Sequence, residues 1–156
     1  MEYHISPTFY SYHQHNIIGM HIDEAVYAEL YYGYGGDGEY GDRKKMTRHI
    51  EEKMLALAPD TVLILCQASP TVIRSRMKEK PKKHGIVKEK DVDLVIRRFE
   101  EEYERSLIKN KFTVDTGNQT PSESLAELVK KYEPYITDAD RIKMLVNKAK
   151  KEGSWP

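Results

Sequence analysis

Among 156 residues there are one cysteine, one tryptophan and three phenylalanines, and no apolar run approaches the length of a membrane-spanning helix. A lone thiol forms no internal disulfide, which excludes the stapled scaffolds of small secreted domains. Net charge is missing as well: 25 basic residues face 25 acidic ones, so no overall field draws in nucleic acid or a membrane surface. Any cationic site has to be local. The amino terminus, Met1 to Ser6, has no apolar signal-peptide core. Together these absences describe a cytoplasmic protein with neither membrane nor nucleic acid as a partner. The length fits one α/β domain over 1–156 with a sizeable core.

What the chain does have is centred on Ala58 to Met77. Val62 to Cys66 is uncharged, β-branched in places and too short for a helix, which fits a strand covered on both faces in a parallel sheet, with Cys66 as a structural thiol. Ser69 before Pro70 is an N-cap followed by proline at the first helical position, and Val72, Ile73 and Met77 supply the buried side of that helix. Arg74 and Arg76 project from it, and Lys78, Lys80, Lys82, Lys83 and His84 follow in a basic segment over 78–90. Positive charge is thus gathered beyond a strand's carboxyl end, where open α/β sheets hold their ligands. An anionic ligand is the first expectation.

Upstream, Ser6-Pro7-Thr8 reads as a loop, Asn16 to Ile22 as a strand and Asp23 to Tyr31 as a short helix, followed by the glycine-dense stretch Gly33 to Gly38. Asp42 caps a helix from Arg43 to Leu57 with Met46, Ile50, Met54 and Leu57 along one stripe. Downstream, Asp91 to Asn110 is the longest helix, with Val92, Val95, Phe99, Tyr103 and Leu107 on one face, and Lys111 to Thr116 alternates as a strand. Thr120-Pro121-Ser122-Glu123 is a capping box opening a helix through Tyr132, and Thr137-Asp138-Ala139-Asp140 opens a C-terminal helix over 137–153. This succession indicates α/β architecture with a mostly parallel sheet flanked by helices in three layers.

The order of Asp60 to Leu65, Ser69 to Met77, Arg98 to Tyr103 and Phe112 to Thr116, with His21 to Tyr27 before them, resembles the thymidylate kinase-like and deoxynucleoside kinase branch of the P-loop kinases over 16–135. The resemblance implies that Arg74 and Arg76 begin a lid over the transferring phosphates, a task suited to forked, charge-assisted hydrogen bonds. It implies acceptor contacts at Glu24, Tyr27, Tyr31 and Arg48, a nucleotide base near Asp115 and Thr116, and ATP with Mg²⁺ as cofactors of an active enzyme. It also exposes a departure. No Gly-x-x-x-x-Gly-Lys-Ser/Thr loop is present, and Ile18-Gly19 stand where the family often carries Asp-Arg. The expected sheet therefore lacks its middle strand, or pairs Ile17 to Ile22 directly with Thr61 to Cys66. The chain is then an amino-terminally shortened kinase, or one that borrows a strand from a second copy or from a partner chain bearing the phosphate loop.

Other readings compete. The sequence can instead be a non-catalytic nucleotide-binding or protein-interaction module. Gly33 to Gly38 satisfies Gly-x-Gly-x-x-Gly but follows a helical stretch, so a plain loop is the better reading. His13, His15 and Asp23, joined by His21 and Glu24, can be drawn as metal ligands of a hydrolase, but their spacing matches no ligand pattern and no metal site is expected. Seven of the eleven tyrosines fall between Tyr10 and Tyr40, and Tyr27, Tyr31, Tyr32 and Tyr34 either stack on a base or pack half-buried with their hydroxyls in water.

Overall fold

The computed structural model describes residues 15–83 and 85–153, so the loop at Ser6 to Thr8, His13 and His84 lie outside the described residues. The chain divides after Asn118 into two compact units.

In the first unit, α1 (His21–Tyr27) runs into one π-helical turn (Ala28–Tyr32), which Gly33 ends in the left-handed conformation. Next come α2 (Arg43–Leu57), β1 (Val62–Gln67), α3 (Pro70–Glu79), a short 3₁₀ turn (Glu89–Asp91), α4 (Val92–Arg105) and β2 (Asn110–Asp115). β1 and β2 pair in parallel, Val62 opposite Asn110 through Gln67 opposite Asp115. The expected caps are present: the Asp42 side chain accepts from the Lys44 and Lys45 amides, and Ser69 accepts from Val72 with Pro70 behind it.

The strand expected over Asn16 to Ile22 is not there, and so neither is its pairing with Thr61 to Cys66. Gly19 and Met20 both take positive φ, 79° and 75°. Two such residues in succession turn the chain, and for Met20 the conformation is strained; helix α1 begins at the very next residue. Among the described residues the sheet therefore has two strands. That also explains why β1 is not enclosed: Val62 to Leu65 are half-buried and Cys66 is exposed, so the thiol is not the interior group its apolar neighbours implied. The long helix stops at Arg105 rather than Asn110, because Ser106 turns into the segment leading to β2.

The core lies where α1 packs on α2 and α4. Val26, Ala28, Val92, Ile108 and Val114 are about 1% exposed, and burial of each valine or isoleucine contributes about 1.5–3 kcal/mol. Within α2 the buried residues are Thr47, Ile50, Glu51 and Met54, whereas Met46 is exposed.

The second unit holds α5 (Pro121–Tyr132), a 3₁₀ turn (Glu133–Tyr135) and α6 (Asp138–Lys151). Both helices open on capping boxes, Thr120 with Glu123 and Thr137 with Asp140. Leu125, Val129, Ile142 and Leu145 are exposed. No helix among the described residues is long and apolar enough to cross a membrane.

Candidate functional site

The carboxyl ends of β1 and β2 are fastened to each other. The Thr116 amide and hydroxyl both donate to the Gln67 carbonyl, at 2.7 and 2.9 Å. One residue on, the Gly117 amide donates to Asp115 Oδ1 at 2.7 Å. A Cβ at Gly117 would stand 3.1 Å from that carboxylate and 3.4 Å from the Ala68 Cα, so glycine lets the two strand exits approach.

Helix α3 starts from this edge, since only Ala68 and Ser69 separate it from β1. Arg76 reaches back to donate to the Thr116 carbonyl. Arg74 pairs with Asp93 and donates through Nε to the Glu89 carbonyl at 3.4 Å. Lys78 pairs with Glu89 at 2.9 Å. All these contacts lie at the surface, where ion pairs are weak and exchange readily. The Gln67 amide also reaches Glu100 of α4, at 3.4 Å.

The residues expected on an acceptor side divide into two groups. Glu24, Tyr27 and Tyr31 lie together on α1 and its π-helical extension. Glu24 accepts from the Tyr34 hydroxyl at 3.2 Å and faces Arg43 Nε at 3.8 Å, and Arg43 lies over the Tyr34 ring. Tyr27 packs edge-on against Phe99 and beside Tyr31, so its ring is a packing element rather than an open platform. Burial, and then the Asp23 carboxylate, push its hydroxyl above the ordinary tyrosine range. The Tyr31 hydroxyl donates to Asp91 at 3.4 Å, and its own titration is also raised, by burial first and Asp91 second. Asp91 and Asp93 flank the start of α4, so Tyr31 and Arg74 meet the same turn. Arg48 does not join them; it is engaged by Glu102 at 2.7 Å and by Glu51 at 3.4 Å.

That second group is part of a buried polar network that pattern reading passed over. Glu51 is fully enclosed and accepts from Ser106 Oγ at 2.8 Å, the Leu107 amide at 2.9 Å and His21 Nε2 at 3.3 Å. Burial works against its ionisation, but these donors and Arg48 prevail and hold the carboxyl below its ordinary range. His21 Nδ1 is buried without a hydrogen-bond partner, and the His21 carbonyl accepts from Thr47 Oγ1 at 2.9 Å. One signal was legible: Glu51 lies beside Ile50 and four residues from Thr47, on the stripe of α2 that turns inward.

Asp23 is half-buried and titrates above the ordinary aspartate range, chiefly through burial. Among the described residues no group of three His, Cys, Asp or Glu side chains could hold a metal ion. His21 is drawn into the network, and the gathering of His21, Asp23 and Glu24 into a ligand set does not occur.

No known protein family matches this chain, and neither a curated protein nor a solved structure is significantly similar to it.

Proposed function

We propose that the chain is the acceptor-and-lid portion of a thymidylate kinase-like nucleotide kinase, working with a phosphate-binding loop supplied by a partner chain. The observation that carries this reading is that Arg76 reaches the carboxyl edge of two parallel strands while Arg74, from the same helix, and Tyr31 both reach the turn that opens α4. Ligands of open α/β sheets bind at such an edge. Arg74 and Arg76 then turn from their exposed partners to phosphoryl oxygens and offset charge developing on them. Glu24 orients the acceptor, Tyr27 and Tyr31 back it, and Asp115 with Thr116 borders the nucleotide base. Arg48 has no part in this arrangement, because its contacts are with Glu51 and Glu102 rather than with the acceptor-side group on α1.

The finer architecture belongs to the same proposal: a three-layer, mostly parallel sheet in which further strands join the outer edges of β1 and β2. Val62 to Gln67 carries none of the charges or prolines with which natural edge strands resist pairing, and this supports an added strand there. ATP with Mg²⁺ does not fit the residues present. The sequence has no Gly-x-x-x-x-Gly-Lys-Ser/Thr loop, so the step that needs the donor belongs to the complete assembly.

The same missing loop, together with the Arg74–Asp93 pair, favours a second reading as a non-catalytic nucleotide-binding or interaction module. Calorimetry with dTMP and ATP tests both. The kinase portion binds dTMP, loses about tenfold in affinity on Arg76→Ala, and transfers phosphate only when co-expressed with a loop-bearing partner. Binding of dTMP without transfer under that condition supports the module. Binding of neither nucleotide ends the kinase reading and leaves the module only as one that binds protein.

A further inference from the structure

A shallow groove of about 440 Å³ lies where the first two turns of α2 face the end of α4, and seven of its eight lining residues are charged. Four of these are the cations Lys44, Lys45, Arg48 and Arg105. Among the described residues Leu107 is the one apolar residue that lines it, and no aromatic ring faces the groove to stack on a base.

The carboxylates in the groove do not consume all the cations. Asp37 takes Lys44 at 3.0 Å, and buried Glu102 takes Arg48 at 2.7 Å. Asp42 is satisfied from the backbone, by the amides of Gly38, Lys44 and Lys45. Lys45 and Arg105 are left over. Their nearest carboxylates stand 3.8 and 3.9 Å away, and their side chains are 78% and 60% exposed. Pairs of that length at that exposure are easily exchanged, and releasing them leaves neither Asp42 nor Glu102 without donors. A further donor lies deeper: Arg48 Nη1 is buried with no hydrogen-bond acceptor in place, its closest carboxylate being Glu51 at 3.4 Å. Buried donors in folded proteins are normally matched.

We infer that this groove is an anion site that takes a phosphate dianion, free or as the head of a phosphate monoester, with Lys45 and Arg105 closing on its oxygens and the Arg48 guanidinium completing the set. A dianion carries more charge than either carboxylate it competes with, Asp42 keeps three backbone donors and Glu102 keeps Arg48 when the two exposed cations swing away, and the guanidinium forks fit the phosphate oxygens in pairs. The site shares no residue with the carboxyl edge of the sheet and does not rest on the phosphotransfer reading.

Backbone amide shifts of the full chain, followed during titration with sodium phosphate and separately with glycerol 3-phosphate, test it against sodium chloride at equal ionic strength. Phosphate-specific shifts are expected at Lys44, Lys45 and Leu107. Affinity falls about tenfold or more in the double variant Lys45→Ala, Arg105→Ala and is retained in Lys45→Arg, Arg105→Lys. Both sites of substitution are exposed, and circular dichroism checks that the fold persists. Tighter binding of the ester assigns the site to monoesters, and equal binding assigns it to free phosphate. Shifts no larger than those from chloride, or a double-alanine variant that binds like the unaltered chain, overturn the inference.

Discussion

Glu51 shows how one buried carboxylate organises its surroundings. Its acceptors are matched by donors from α1, from α2 and from the turn into β2, so neutralising it strands several groups at once. Glu51→Gln is expected to cost about 3 kcal/mol in chemical denaturation, the scale for breaking a buried charged network from one side. The pH dependence follows from the direction of its shift. A carboxyl held below its ordinary 4.5 in the fold adds stability that is fully present above that value and is lost as pH falls through the folded one. Stability of the unaltered chain should therefore decline on acidification below about 4.5, with a shallower slope in Glu51→Gln. Equal slopes in the two proteins would remove Glu51 from this role.

At the scale of elements, glycine and capping chemistry decide where helices begin and how the chain turns between them. Gly35 has φ 72°, and a Cβ there would stand 2.5 Å from Arg43 Cγ and 3.2 Å from the Gly41 carbonyl oxygen. Gly35→Ala combines an unfavourable backbone conformation with crowding, so a loss of about 2 kcal/mol is expected in thermal or denaturant unfolding. An unchanged midpoint would show that the loop relaxes freely. The starts of α2, α3, α5 and α6 were legible because Asp42, Ser69-Pro70, Thr120 with Glu123 and Thr137 with Asp140 act through bonds a few residues long. Asn16 to Ile22 misled for a related reason. Its alternation of apolar and polar residues resembles a strand, but nothing in hydrophobic period announces that Met20 adopts positive φ.

Across the whole molecule, the proposed reading makes competition between internal acids and a bound anion decide whether Arg74 and Arg76 act. If Arg74 is drawn from Asp93 by phosphate, removing that competitor helps: Asp93→Ala should tighten dTMP binding by about threefold, since the displaced surface pair is worth up to about 1 kcal/mol. Looser binding would assign Asp93 to the ligand's side of the site, and no change would make Arg74 a spectator. The candidate site was half visible beforehand. The position of Arg74 and Arg76 after β1 follows from one apolar run and one cap, whereas Arg48 looked as available as either until Glu51 and Glu102 were found beside it.

By itself the sequence determined the mixed α/β character, the parallel-capable strands and most helix starts, because these depend on periodicity and on hydrogen bonds between near neighbours. The tertiary structure alone decided which charges are spent. It buried Glu51, tied Arg48 to Glu102, left Cys66 exposed and brought Arg76 to the Thr116 carbonyl across 40 residues of chain, because the free energy of an ionic group depends on the distance and burial of partners that sequence spacing does not encode.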